Sequence, residues 1–331
     1  MSATTNASAC RLDQSSAASA AAALDDAAIA AAAARIARVL RPTPLLAAPG
    51  RDAFLKLENL QVTGAYKVRG AFNAVAARWE RGQRQPLVCA SAGNHGLGVA
   101  WAARHFGLPA TIIVPAGAPA AKVRGCQALG AQVIVGGDNV ETCLARAEVL
   151  AAASGAGLLH PFDDLDVIAG QATVAVELLS FAPDVVLVPI GGGGLAAGVA
   201  AVCKRRGVRV VGVQVTGLDV FRRAWLGQPG PSSASSHLSA TLADGLRVAR
   251  PGRLTVPLCA ASLDDVVLVD EEQIAATMAS LALNEKIIAE GAGAAAVAAL
   301  PQVAGQRKVA IVSGGNVDAA VLAAVAARAA A

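Results

Sequence analysis

VVLVPIGGGGLAAGVAAVCKR, residues 185–205, decides the fold. Its first six residues are apolar without a polar break, as in a strand covered on both faces of a parallel sheet. Gly191, Gly192, Gly193 and Gly194 follow, and Leu195 then opens a stretch of helix formers that runs to Arg205. Side-chain-free backbone leading into a helix N-terminus presents several N–H donors and the positive end of the helix dipole, which suits a phosphate. Four consecutive glycines cost conformational entropy that a plain turn does not require, so the loop reads as an anion cradle. A dinucleotide would also want an acidic residue about 20 positions on, at the end of the next strand. Gln214 stands there. The loose match of Gly191, Gly193 and Ala196 to GxGxxA is therefore a weak signal, and a nucleotide-dependent oxidoreductase is disfavoured.

Outward from this segment, short apolar runs (FLKLE, LVCAS, TIIVP, QVIVG, VRVVGVQV, VVLV, KVAIVS) alternate with helix-length segments at 96–106, 118–129, 139–153, 171–179 and 194–205. The alternation predicts an α/β protein with two open, twisted, mostly parallel sheets flanked by helices. Asp25 to Val39 reads as an opening helix stopped by Pro42 and Pro44. Four β/α units from Pro86 to about His160 suggest a small α/β domain, 81–160, inserted in a larger one made of 25–80 and 161–331. Residues 1–24 read as a disordered tail, and Gly227 to Ser239 as a surface loop. The last β/α unit falls close to Ala331, which leaves no room for a C-terminal regulatory domain.

Twenty-eight basic and 24 acidic residues give a net charge of +4 with no basic run, which argues against a nucleic-acid binder. No run of about 18 apolar residues is free of polar breaks, so no membrane span is expected, and residues 1–24 lack the basic start of a secretory signal. Six scattered cysteines without a CxxC pair fit buried thiols in a reducing cytoplasm. The four dispersed histidines offer no metal-ligand spacing, and no metal is expected.

Three further stretches carry chemistry. In KLENLQVTGAYKVRGAFN, residues 56–73, Lys67 follows a Thr-Gly turn and opens a helix beside Tyr66. A lysine at the positive end of a helix is disfavoured as a cation, and a neutral amine forms Schiff bases. In CASAGNHGLGVA, residues 89–100, a strand end runs through small residues into a helix, so amides around Ser91, Ala92, Gly93, Asn94 and His95 suit a substrate carboxylate. In VSGGNVD, residues 312–318, Ser313 ends a strand, in the crevice where open α/β sheets bind ligands.

Taken in order, these strings, with HPFDD…VIAGQATVAVELL, TLADGLRV and EGAGAAAV, resemble the fold-type II pyridoxal-phosphate family, and within it the catabolic threonine dehydratases and serine racemases. The resemblance runs from about residue 25 to 320 and implies a fold like the tryptophan synthase β subunit. It implies that Lys67 joins pyridoxal 5'-phosphate as a Schiff base, flanked by Tyr66, and that the backbone from Gly191 to Leu195 holds the phosphate. Asn94 is then the partner of the ring O3', and Ser313 of the pyridine nitrogen. A neutral hydroxyl at that nitrogen limits the electron sink and favours β-elimination over transamination. The implied reaction is dehydration and deamination of a small β-hydroxy amino acid such as L-threonine or L-serine, by a homodimer. A dehydratase for hydroxyaspartate, phenylserine or a hydroxyectoine-derived amino acid, or a non-catalytic phosphate-ligand binding protein, stays open.

Three departures from the family pattern bear on this reading. Ala92 stands where racemases of the family place a serine on the face opposite the lysine, and alanine cannot shuttle a proton. Gln214 and Val220 replace two of the acidic positions of a divalent-cation site, leaving Asp219. Ala65-Tyr66 stands where relatives commonly have Ser-Phe, which moves a hydroxyl near the Schiff base.

Overall fold

The computed structural model describes residues 20, 22–91, 93–229 and 241–330. Helix α1 (Asp26–Ala37) is started by Asp25, whose carboxylate accepts from the Ala28 N–H at 2.7 Å. A short hairpin follows, β1 (Leu45–Ala48) and β2 (Ala53–Leu57), and then α2 (Lys67–Glu80). The next block is β3 (Leu87–Ala90), α3 (Asn94–Phe106), β4 (Ala110–Pro115), α4 (Ala120–Ala128), β5 (Gln132–Gly137), α5 (Val140–Ser154) and β6 (Gly157–Leu158). The chain continues through α6 (Leu165–Val176), β7 (Val185–Pro189), α7 (Gly194–Lys204), β8 (Arg209–Val215) and α8 (Val220–Trp225). It closes with α9 (Thr255–Ser262), β9 (Asp265–Val269), α10 (Glu271–Leu283), α11 (Gly291–Ala298), β10 (Lys308–Val312) and α12 (Ala319–Ala330).

Two sheets result. One has the order β1-β2-β10-β7-β8-β9 and the other β5-β4-β3-β6. Every pairing is parallel except β1 with β2. The mixed α/β class with two mostly parallel sheets is thus the observed one.

Strand β7 shows why a continuous apolar run was needed. Successive side chains point to opposite faces. Val185 and Leu187 join the core under α10 and α11 with Leu55, Val211 and Met278. Val186 and Val188 join the core under α6 and α7 with Ile168 and Val199. Covered on both sides, the strand has no place for a polar residue. A third core packs α2 against α3, β3 and β4, through Val68, Phe72, Val99 and Ile112.

Three differences from the sequence reading have simple causes. Helix α6 begins at Leu165, six residues ahead of the expected Gln171, because the Asp164 carboxylate caps it by accepting from the Val167 N–H. Strand β1 is an edge strand of four residues with two exposed, too short to show a period. Ala20 and Leu24, which fall in the expected tail of 1–24, are instead buried against α6 and α7, and the Arg205 guanidinium donates to the Leu24 carbonyl at 2.6 Å. The rest of that tail, residues 1–19 and 21, and residues 230–239 of the expected surface loop lie outside the described residues. No helix among the described residues is long and apolar enough to cross a membrane. Cys89, Cys126, Cys143, Cys203 and Cys259 are free and buried.

Candidate active site

The loops singled out in the sequence all leave the carboxyl ends of parallel strands: Ser91 after β3, Gly191 after β7 and Ser313 after β10. Lys67 stands at the first position of α2, and the N–H of Tyr66 before it donates to the Ser313 carbonyl at 3.0 Å. That bond and an isolated bridge between Ala65 and Gly314 fasten the lysine's turn to the end of β10. The Lys67 ammonium donates to the Pro161 carbonyl at 2.7 Å. Burial lowers its pKa to about 8, because the charged form loses its hydration. A neutral hydrogen-bond partner does not restore the proton as a carboxylate would. Behind Lys67, Arg69 is fully buried and pairs twice with Glu58, at 2.7 and 2.8 Å, and with Glu177, which Lys56 also contacts. These ion pairs fix the first turn of α2.

Gly191 to Gly194 turn from β7 into α7. Among the described residues, no acceptor takes the N–H groups of Gly191, Gly192, Gly193, Gly194 or Leu195. Five unpaired amides at a helix start are costly without an anion, since buried N–H groups are almost always paired. The cradle admits no side chains: a Cβ at Gly192 would overlap the Phe162 ring, and one at Gly193 would overlap Phe221. Gly193 also has φ +92°, a region that only glycine enters freely. The Thr255 hydroxyl donates to the Gly192 carbonyl at 2.6 Å.

In the third loop, the Ser91 N–H is used by Ile113 of β4, and the Gly93 N–H donates to Ser91 Oγ at 3.1 Å. The amides left without an acceptor among the described residues are those of Asn94, His95 and Gly96 in the first turn of α3. Ala92 lies outside the described residues. Asn94 is held at both ends of its amide: Nδ2 donates to Glu290 at 2.5 Å, and Oδ1 accepts from Asn316 at 2.8 Å. Lys122 of α4 reaches Glu290 at 3.7 Å. Burial raises the Glu290 carboxyl above its ordinary range, against the pull of Lys122 and Asn94. The same burial, with Glu290 nearby, raises Tyr66. His95 Nε2 meets the Leu159 carbonyl at 3.2 Å and Nδ1 has no partner among the described residues; burial, with the Lys67 charge, holds the ring neutral with a pKa of about 3. Ser313 is buried, its hydroxyl donating to the Ala292 carbonyl at 3.3 Å.

Tyr66, next to Lys67, thus meets Ser313 directly, Asn94 is held by Glu290 and Asn316, and the glycine loop is joined to Lys67 by Pro161 and Phe162. Gln214 is committed elsewhere. Its amide donates to Ile190 and Leu218 carbonyls and accepts from the Arg222 N–H, while Asp219 pairs with Arg223. Glu290, Asn316, Lys122, Pro161 and Thr255 were not singled out from sequence.

A buried amine with a lowered pKa, linked through Pro161 and Phe162 to five amides that lack an acceptor among the described residues, fits a phosphorylated aldehyde, and comparison with known proteins agrees. The model of the pyridoxal-phosphate dependent enzyme family matches residues 36–315. The chain belongs to this family. An L-threonine ammonia-lyase of Thermotoga maritima is 42% identical over 277 residues, covering 81% of this chain and 68% of that protein. The catabolic L-threonine dehydratase TdcB of Escherichia coli is 38% identical over 277 residues, covering 81% and 83%. Maize serine racemase superposes with a TM-score of 0.83 at 33% identity, covering 92% of this chain and 97% of that one. The chain is a fold-type II pyridoxal-phosphate enzyme, and its cofactor is pyridoxal 5'-phosphate.

Proposed function

We propose that this enzyme dehydrates and deaminates L-threonine or L-serine, giving a 2-oxo acid and ammonia, and that Lys67 is its base. The observation that carries the assignment of roles is the Lys67 amine, buried, turned to a neutral carbonyl and tied through Pro161 and Phe162 to the unpaired amides of Gly191 to Leu195. Relatives named threonine ammonia-lyase and threonine dehydratase support the reaction.

When bound, the cofactor supplies an electron sink that acidifies the Cα proton of an amino acid attached to it. Lys67, whose pKa burial lowers to about 8, removes that proton in its neutral form. The amides of Asn94 and His95 hold the substrate carboxylate at the positive end of α3. Asn94, its amide orientation set by Glu290 and Asn316, has one N–H left to donate to the ring oxygen. Ser313 offers the pyridine nitrogen a hydroxyl rather than a charge, which keeps the sink weak and favours loss of the β-hydroxyl. Alanine at position 92, where racemases of the family have a serine, has no hydroxyl to shuttle a proton, so racemisation is slow.

The smaller unit is 81–160 and the larger is 25–80 with 161–331, and the site draws its loops from both, after β3 in the one and after β7 and β10 in the other. The enzyme is a cytoplasmic homodimer in this reading. The test is purified enzyme with L-threonine, L-serine and 3-hydroxyaspartate, followed by 2-oxo acid, ammonia and chiral analysis. Oxo acid from threonine with little D-serine from L-serine is expected. Racemisation of serine as fast as elimination, or turnover of none of the three, contradicts the proposal.

A further inference from the structure

The two places that grip the cofactor in this reading, the Lys67 amine and the glycine loop, lie on segments far apart in the chain. A rigid cofactor needs them at a fixed separation. One short segment touches both: Pro161 accepts from Lys67 Nζ, and the next residue, Phe162, packs its ring on Gly192 and its backbone on Gly194. The residue after that, Asp163, turns its carboxylate to the start of α9, accepting from the N–H groups of Arg253 at 2.9 Å, Leu254 at 2.7 Å and Thr255 at 3.3 Å. The hydroxyl of Thr255, which is fully buried, then returns to the glycine loop through the Gly192 carbonyl. The His160 ring completes the turn, its Nδ1 accepting from the Asp163 N–H at 2.9 Å.

The geometry of a trans peptide gives this circuit its consequence. The C=O of Gly192 and the N–H of Gly193 belong to one plane and point in opposite directions. A hydroxyl that holds the carbonyl on one side therefore aims the N–H to the other. At φ +92° Gly193 has no side chain to resist rotation of that plane. The Thr255 hydroxyl supplies the restraint that glycine lacks.

Resting on the reading of Lys67 and Gly191 to Leu195 as the cofactor's two anchors, we propose that Asp163 and Thr255 are positioning residues. Together they aim the Gly193 N–H at the cofactor phosphate and hold that loop in register with Lys67. Neither residue touches the reacting atoms. Their effect is on retention of the cofactor and on the environment of its phosphorus.

The test titrates apoprotein with pyridoxal 5'-phosphate and records the ³¹P spectrum of the bound cofactor in wild type, Thr255→Val, Thr255→Ser, Asp163→Ala and the double variant. Thr255→Val keeps the β-branched shape without the donor. It is expected to raise Kd about tenfold, the scale of one buried hydrogen bond, and to move the ³¹P resonance. Thr255→Ser, which keeps the hydroxyl, is expected to stay within about threefold of wild type. Because both residues act along one path, adding Asp163→Ala to Thr255→Val is expected to weaken binding by less than the product of the single losses. Unchanged Kd and ³¹P shift in Thr255→Val, a serine variant as weak as the valine variant, or multiplicative losses in the double variant overturns the proposal. Should Thr255→Val not fold, Asp163→Ala decides by the same two readouts. The reading beneath the proposal fails differently: Lys67→Ala would retain the visible absorption band of lysine-bound cofactor.

Discussion

Two loops of this enzyme begin alike and end differently. Both leave the end of a buried parallel strand, pass through small residues and enter a helix with unpaired amides. The glycine loop at 191–194 is packed from behind by Phe162, Phe221 and Thr255, and no Cβ fits at Gly192 or Gly193 without displacing an aromatic ring. Gly93 of the other loop, at 91–95, is less tightly packed. A Cβ at Gly93 would lie 3.1 Å from Lys122 Cδ, on a flexible side chain rather than an aromatic ring. The fixed points of this loop are polar, the Ser91 hydroxyl and the doubly held amide of Asn94. A loop braced by rings suits a resident phosphate, and one braced by hydrogen bonds suits a carboxylate that arrives and leaves each turnover.

Alanine at one glycine of each loop separates the two. Gly193→Ala meets both a forbidden φ and the Phe221 ring, so cofactor affinity is expected to fall by about 100-fold or more, measured by titration of apoprotein. Near-normal affinity would break the contrast. Glu58→Ala strikes the ion pairs behind Lys67 and serves as a control common to both loops. It takes from the buried Arg69 both bonds to Glu58, leaving it to Glu177 and Thr173, and is expected to destabilise the fold by about 3 kcal/mol in urea denaturation. A loss below about 1 kcal/mol would say that Glu177 alone satisfies Arg69. Gly93→Ala is expected to raise KM for L-threonine about tenfold, by shifting the amides of α3, while changing cofactor affinity far less than Gly193→Ala does. Loss of cofactor instead would make the two loops equivalent.

The smallest effect is one of pH. Lys67 reacts with an aldehyde only as the free amine, and its pKa is lowered to about 8 by burial. Below that pH the rate of cofactor uptake by apoprotein is expected to rise about tenfold per unit, and above it to level off. An ordinary exposed lysine would keep rising toward about pH 10, and such a profile would mean that Lys67 is hydrated in the apoprotein.

Much of this was legible in the chain because the signals are local. An apolar run, four glycines and a helix lie within 21 residues, and Lys67 follows its Thr-Gly turn directly. Glu290, Asn316 and Lys122 were illegible for the opposite reason. Each gains its role from a partner far away in sequence, as Asn94 meets Glu290 from 196 residues off. Asp163 and the amides of Arg253 to Thr255 are some 90 residues apart, and no period or motif joins them. The amides of the 91–95 loop were only half legible. Composition marks the turn, but that Ser91 spends its hydroxyl on Gly93 depends on how tightly the turn closes.

The most direct measurement is reduction of the holoprotein with borohydride, followed by digestion and mass mapping of the modified peptide. The account predicts the pyridoxyl group on Lys67 alone. Lys56 is the nearest competitor in sequence, but it is bound by Glu177 and the Thr43 carbonyl. The label on Lys56 or Lys122, or on no lysine, would contradict the account at its centre.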